Sequence, residues 1–182
     1  VKRIFDIIMS FVAIIIFIIP ALIISCLIIY FFKHPVLFTQ SRIGENKKPF
    51  KILKFQTLVE NKPTKLGHIL RKSGLDELPQ FVNVLKGDMS VIGPRALTIE
   101  DIARLKWDRE FYDFRWNVKP GISGLAQIYG GQHKKTSIFW DKQYIKSFGL
   151  SLDLKIILVS FTMNIFGKTK VRRMIFANGA LK

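Results

Sequence analysis

Two carboxylates stand side by side at Asp76 and Glu77, inside the stretch SGLDELPQFVNVLKGDMSVIGPR that runs from Ser73 to Arg95. Arg71 and Lys72 precede them across a short break, and Pro79 follows almost at once. Adjacent acids have a bland use: in the first turn of a helix each complements the dipole by ~0.3–1 kcal/mol. Three features point past capping. The upstream cations favour the ionised form of a nearby carboxylate. A second cationic, backbone-rich element, IGPR with Arg95, follows soon after. A helix N-terminus is itself an anion site. Carboxylates beside an anion site need a cation to join the two, and Mg²⁺ held by one or two carboxylates plus substrate phosphates meets that need. With a diphosphate screened in this way, an ionised Asp76 can reach phosphorus as a nucleophile, through an aspartyl-phosphate. The other chemistry open to the pair is that of a general base acting on a different nucleophile.

These residues need elements to place them. Leu66, Ile69 and Leu70 share one helical face, which Ser73 and Gly74 interrupt. Asp76 is then expected to cap a second helix with Pro79 in its first turn, an apolar face of Leu78, Phe81, Val82 and Leu85, and an end at Gly87. Upstream, Leu37–Gln40 and Phe50–Gln56 read as two strands around a polar turn at Gly44, Glu45, Asn46 and Lys47. Downstream, Leu97–Val118 reads as one amphipathic, aromatic-rich helix, and glycine-rich Lys119–Gln132 as loop. Residues 136–149 read as helix. A last helix, Ser151–Arg173, opens on a Ser/Asp cap and ends in a basic cluster. Its uncharged core, Ile156–Phe166, is too short to cross a bilayer; it either lies in the interface or closes the core. The pattern is mixed α/β, mostly helical.

From Ile7 to Phe32 no residue is charged. A helix over that stretch reaches ~39 Å, more than the ~30 Å of a hydrocarbon core. Pro20 lies near its middle and predicts a kink. Both flanks are basic, and basic flanks prefer the cytoplasm. A helix–break–helix that enters and leaves on one face satisfies both, but prolines are common in spanning helices, and these residues alone favour a plain kinked span. Lys and Arg outnumber Asp and Glu by 29 to 13, for a net charge of +16. That excess suits an anionic partner: nucleic acid, an acidic membrane surface or phosphorylated substrates. The one cysteine excludes an internal disulfide and a cysteine-rich zinc site, and the three histidines lack metal-ligand spacing.

The motifs KRIFDI, PVLFTQSRIGENKKPFKILKF, LRKSGLDELPQFVNVLKGDMSVIGPR, KPGISGLAQIYG, DKQYI and LDLKIIL resemble, in order and over most of the chain, those of the bacterial sugar transferase family, the monotopic phosphoglycosyl transferases. The small size resembles the enzymes of bacterial N-glycan assembly. The resemblance implies a re-entrant membrane helix over residues 1–34 and a catalytic domain over 35–182 at the cytoplasmic face of the inner membrane, with amphipathic helices in the interface. It implies transfer of a sugar 1-phosphate from a UDP-sugar to undecaprenyl phosphate, with Mg²⁺, releasing UMP. Asp76 is then the nucleophile and Glu77 its partner acid, both at the metal. Lys54, Arg71 and Arg95 hold phosphates, and Gln80 and Pro94 join the substrate site. The implied partners are the two substrates, the lipid bilayer and other glycan-assembly enzymes, with no nucleic acid. Two positions depart from the family's pattern: Gln56 and Leu58 stand where Arg and Met are usual. The segment LVENKPTKLG is also short, so Asn61–Lys62 is expected to mark a join across a missing loop. The competing reading is a cationic membrane-binding or scaffold protein without catalysis, which leaves the acid pair and IGPR unexplained.

Overall fold

The computed structural model describes residues 1–129 and 134–178. It is mixed α/β and mostly helical. The apolar N-terminal run forms one helix, α1 (Lys2–Phe32), with Pro20 inside it. The expected break there is not an interruption: a proline removes one hydrogen bond and the helix continues past it. Burial along α1 is confined to its two ends, at Asp6 and Ser10 and again at Ile24, Ile28 and Phe32. Between them Phe11, Ile15, Ile16, Ile19 and Leu22 are exposed.

The first end is held by polar contacts. Lys2 Nζ donates to Asp153 at 2.6 Å, and the Arg3 guanidinium donates to the carbonyls of Val84 at 2.5 Å and Leu85 at 2.8 Å. Asp6 Oδ1 accepts from Ser90 Oγ at 2.9 Å and from the Val91 amide at 3.0 Å. Asp153, read from sequence as part of a helix cap, is fully buried and serves this network instead. The second end packs in an apolar cluster with Phe55, Leu70, Leu75 and Leu78.

Strands β1 (Leu37–Ile43) and β2 (Pro49–Phe55) form the expected antiparallel hairpin, closed by residues 44–48. Directly opposed residues point to the same side. Phe38 faces Lys54, Gln40 faces Ile52 and Arg42 faces Phe50, so these six share the inner face, where Ile52 is buried. Two short strands, β3 (Leu58–Val59) and β4 (Lys62–Pro63), then pair across a turn at Glu60 and Asn61, both with positive φ.

Helix α2 (Lys65–Ser73) is capped by Thr64, whose Oγ1 accepts from the Gly67 amide at 2.9 Å. It ends at Gly74, at φ 74°, a conformation glycine adopts without strain. The two acids fall in a 3-10 turn, Leu75–Glu77, and α3 (Gln80–Lys86) starts only after Pro79. Asp76 therefore does not cap α3, which has no side-chain cap. Gly87 ends α3 as predicted.

Strand β5 (Ser90–Ile92) pairs in parallel with β6 (Gly121–Ser123). The glycine-rich segment expected as loop is thus a strand followed by a short helix, α5 (Leu125–Ile128); its positions 130–132 lie outside the described residues. Its glycines serve close approach: a Cβ on Gly121 would sit 2.0 Å from the Gly93 amide nitrogen. The predicted helix over 97–118 is split into α4 (Ile99–Leu105) and a 3-10 helix, Glu110–Asn117, with Lys106 left-handed between them. The bend lets Trp107 and Trp116 both enter one cluster with Leu97. Helices α6 (Lys134–Ser147), α7 (Leu150–Phe166) and α8 (Lys168–Asn178) complete the chain. The helix predicted over 151–173 is two, parted at Gly167 with φ 88°. The main core gathers Ile52, Val84, Met89, Ile92, Ile128 and Ile156.

Candidate active site

Asp76 is 7% exposed, in the turn that α2's glycine end and Pro79 hold rigidly between two helices. Glu77 Oε1 accepts from Lys54 Nζ at 2.6 Å, which ties the turn to the inner face of β2. Arg71 and Lys54 are Asp76's cationic neighbours; Lys72, expected to share that role, is exposed on α2 and is not among them. The expected direction of the Asp76 pKa is also corrected. Burial raises it, the Glu77 charge raises it further, and Lys54 and Arg71 only partly oppose this. Asp76 is thus a desolvated, more basic carboxylate than its exposed counterpart, a property of groups that do acid–base or nucleophilic work.

A cleft opens beside this turn, lined by Glu77, Lys54, Arg95, Arg42, Gln80 and Gln127 among others. Asp76 adjoins the cleft through Glu77 rather than lining it. Gln80 is 2% exposed, and among the described residues its Nε2 has no partner. Arg95 is exposed, while its backbone is fixed: the Arg115 guanidinium donates to the Arg95 carbonyl, and the Gly121 amide donates to the Pro94 carbonyl at 2.9 Å. Pro94 is buried and acts through that carbonyl. Arg71 Nε donates to Thr57 Oγ1 at 2.8 Å, on the other flank of the acids.

Of the residues singled out from sequence, Lys54, Glu77, Gln80 and Arg95 meet at the cleft and Asp76 lies beside it; Pro94 does not line it but accepts through its carbonyl from Gly121, which does, and Arg71 flanks the acids from α2. Among the described residues, no cluster of three or more His, Cys, Asp or Glu could hold a metal unaided. Asp76 and Glu77 offer two carboxylates, a donor set that fits Mg²⁺ completing its shell with substrate phosphates and water.

Sequence reasoning missed four participants. Arg42 sits on the inner hairpin face with Lys54, and strand alternation from Lys54 through Ile52 to the facing Gln40 would have found it. Gln127 lay inside the glycine-rich segment. Arg115 and Asp141 form a buried ion pair, Nε to Oδ2 at 2.8 Å, each side chain 2% exposed. Arg115 also lies over Trp107 and Trp116. No local signal links these two residues.

A family model described as bacterial sugar transferase matches residues 1–167. A UDP-N-acetylgalactosamine-undecaprenyl-phosphate N-acetylgalactosaminephosphotransferase of Aeromonas hydrophila is 37% identical over 176 residues, 86% of this chain and 42% of the relative. A UDP-glucose:undecaprenyl-phosphate glucose-1-phosphate transferase of Klebsiella pneumoniae is 37% identical over 189 residues, 92% of this chain and 41% of the relative. The chain thus spans less than half the length of these two. An uncharacterized sugar transferase, EpsL, of Bacillus subtilis strain 168 is 38% identical over 144 residues, 69% of this chain and 68% of the relative. The Klebsiella match runs over more residues than 92% of this 182-residue chain supplies, so the relative carries extra residues within the matched stretch.

Proposed function

The chain belongs to the bacterial sugar transferase family, and we propose that it moves a sugar 1-phosphate from a UDP-sugar to undecaprenyl phosphate, releasing UMP. The observation that carries this reading is a buried carboxylate, Asp76, set in a rigid turn beside a cleft that gathers Lys54, Arg95 and Arg42. Such a group is suited to attack a phosphorus atom whose charge the surrounding cations offset. In the first step an Asp76 oxygen bonds to the sugar-bearing phosphorus, the phosphoanhydride bond breaks, and UMP leaves with the bridging oxygen. In the second, a phosphate oxygen of undecaprenyl phosphate bonds to the same phosphorus and the bond to Asp76 breaks. The carboxylate is regenerated and a polyprenyl-diphosphate-sugar departs. Glu77, held by Lys54, keeps the turn in register and gives Asp76 a second carboxylate at hand. Mg²⁺, bound at Asp76 and Glu77, would neutralise phosphate charge.

The acceptor is a lipid, and α1 supplies the membrane attachment. Its exposed apolar middle has lipid as its natural neighbour. Both ends of α1 meet one short piece of chain: Arg3 at Val84 and Leu85, and the Ile24–Phe32 end in the cluster with Leu75 and Leu78. Residues 3 and 28 lie ~38 Å apart along a straight helix, whereas residues 75–85 cover ~15 Å at helical rise. A bend at Pro20 relieves that mismatch and supports a re-entrant α1, with the body at the cytoplasmic face and α7's exposed Leu154, Leu158, Phe161 and Ile165 in the interface.

The test is single-turnover chemistry. Incubated with a UDP-sugar and Mg²⁺ but no acceptor, the protein should release a UMP burst of about one per enzyme, as covalent catalysis requires. Its intact mass should rise by one sugar phosphate, mapping to the peptide with Asp76. UMP release only when acceptor is present, with no adduct, would overturn the covalent step. A protein that binds membranes through charge alone would release no UMP.

A further inference from the structure

The turn that carries Asp76 is bordered by two apolar helices. Leu75 and Leu78, on either side of the acids, pack with Ile24, Ile28 and Phe32 of α1. Gly74, just before the turn, is touched by Asn164 of α7. These are the two helices assigned above to lipid. A lipid acceptor that reaches Asp76 comes along this border, and its phosphate needs donors there. Arg71 supplies one: its charge acts on Asp76, and among the described residues only its Nε is engaged, by Thr57 Oγ1 at 2.8 Å.

Along α7, Leu154, Leu158, Phe161 and Ile165 form an exposed apolar face. Asp153, Ser160 and Asn164 share another face at helical spacing. The first two are bonded. Asp153 accepts from Lys2 at 2.6 Å and from the Tyr144 hydroxyl at 2.9 Å, and the Ser160 and Ser123 hydroxyls lie 2.6 Å apart. Thr162 Oγ1 donates back to the Val159 carbonyl at 2.8 Å. Asn164 is the polar side chain of this half of α7 that has no hydrogen-bond partner among the described residues. It is exposed, yet its amide lies over Gly74: a Cβ built there would sit 3.0 Å from Nδ2 and 3.4 Å from Cγ and Oδ1. Glycine at 74 therefore meets two demands, a φ of 74° and room for this amide. On an ordinary surface water would satisfy the group. Beside Phe161, Ile165 and Phe166 in the proposed interface lipid replaces that water, and an amide without a partner is costly there.

We propose that Asn164 binds the acceptor: its amide donates to the phosphate of a polyprenyl monophosphate as that group comes off the membrane onto the Asp76 turn. The inference rests on the transfer reaction proposed above and deepens it by naming a residue for the second step. In that step one oxygen of the acceptor phosphate bonds to the phosphorus held on Asp76, and the Asp76 oxygen leaves as carboxylate. The amide donates to another oxygen of the same phosphate, so the attacking oxygen stays free and no proton is transferred. A neutral donor suits the position. It costs less to keep beside lipid than an ammonium or a guanidinium, and it leaves the positive charge to Arg71.

The experiment uses the full chain in lipid nanodiscs, with undecaprenyl phosphate as the equilibrium probe, followed by steady-state kinetics for both substrates. Asn164→Leu keeps nearly the same shape over Gly74 and removes the donor. Binding of undecaprenyl phosphate should weaken, and the acceptor KM rise, by about tenfold, the effect of losing one hydrogen bond to a charged group. The donor KM and the UMP burst without acceptor should stay where they are. Asn164→Asp keeps the shape and sets a negative charge in the path of the phosphate, so its acceptor KM should rise further; it carries the test if the leucine variant fails to fold. Unchanged acceptor binding in either folded variant would overturn the assignment. So would a UMP burst slowed in step with overall turnover, which would mark the amide as packing for the turn. Acceptor titration needs no covalent step, so the role of Asn164 stands or falls apart from the Asp76 adduct.

Discussion

Asp76 is 7% exposed, and burial, then the charge of Glu77, raises its pKa above the ordinary carboxylate value. The sign follows from linkage. A folded-state pKa above the unfolded one gives stability that is present at low pH and lost as pH rises through the folded value. Asp76→Asn removes that loss. The variant should therefore melt higher than the wild type at about pH 7, with the gap closing on acidification below the ordinary Asp range near 4. Its turnover should fall more than about 10³-fold, as for loss of a nucleophile. Thermal melts across pH and a UMP-release assay check both halves. Burial raises the Asp141 pKa as well, but this carboxylate is paired with the buried Arg115 guanidinium. Asp141→Asn leaves a buried guanidinium without its carboxylate and should destabilise by about 3–5 kcal/mol in chemical denaturation. Because Arg115 also holds the Arg95 carbonyl, donor KM should rise in whatever protein remains folded. Asp76, Glu77, Lys54 and Arg95 were legible because they lie in contiguous, chemically unusual stretches. Arg115 and Asp141 were not, because their pairing is made by tertiary packing alone.

The elements around the acids were readable wherever glycine or proline punctuates an apolar period: α2 to Gly74, α3 to Gly87, the β1–β2 hairpin. They were misread where local propensity yields to packing. A continuous 97–118 helix would carry Trp107 and Trp116 to different sides, and burying both required the break at Lys106. The β5–β6 pairing was hidden because its glycines look like loop, yet they are small so that two backbones can meet. Gly121→Ala puts a methyl 2.0 Å from the Gly93 nitrogen, which no side-chain rotation relieves. It should destabilise by at least about 1–3 kcal/mol, as overpacking does, and displace the Pro94–Arg95 segment. For α1 the proposed bend predicts that single cysteines at Val1 and His34, in a Cys26→Ser background, label from the same cytoplasmic side. In Pro20→Ala the helix should straighten and the two labels part to opposite sides.

At the scale of the whole molecule, the proposed attachment joins a charge of +16 to an exposed apolar helix on an anionic bilayer. Raising salt to 1 M cuts the screening length to about 3 Å and should weaken only the electrostatic part. Flotation with phosphatidylglycerol vesicles should therefore leave the protein bound at high salt, and detergent alone should release it. Truncation of α1 should make the remaining attachment salt-sensitive. The polar clamp at the start of α1 also has a consequence for how the protein is made. Lys2, Arg3 and Asp6 find their partners at Asp153, Val84, Leu85 and Ser90, all of which leave the ribosome later. During synthesis the helix is present while the groups that satisfy its charges are still untranslated. On the proposed attachment, insertion of α1 thus precedes closure of the body, and the Leu75–Glu77 turn emerges before any of those partners.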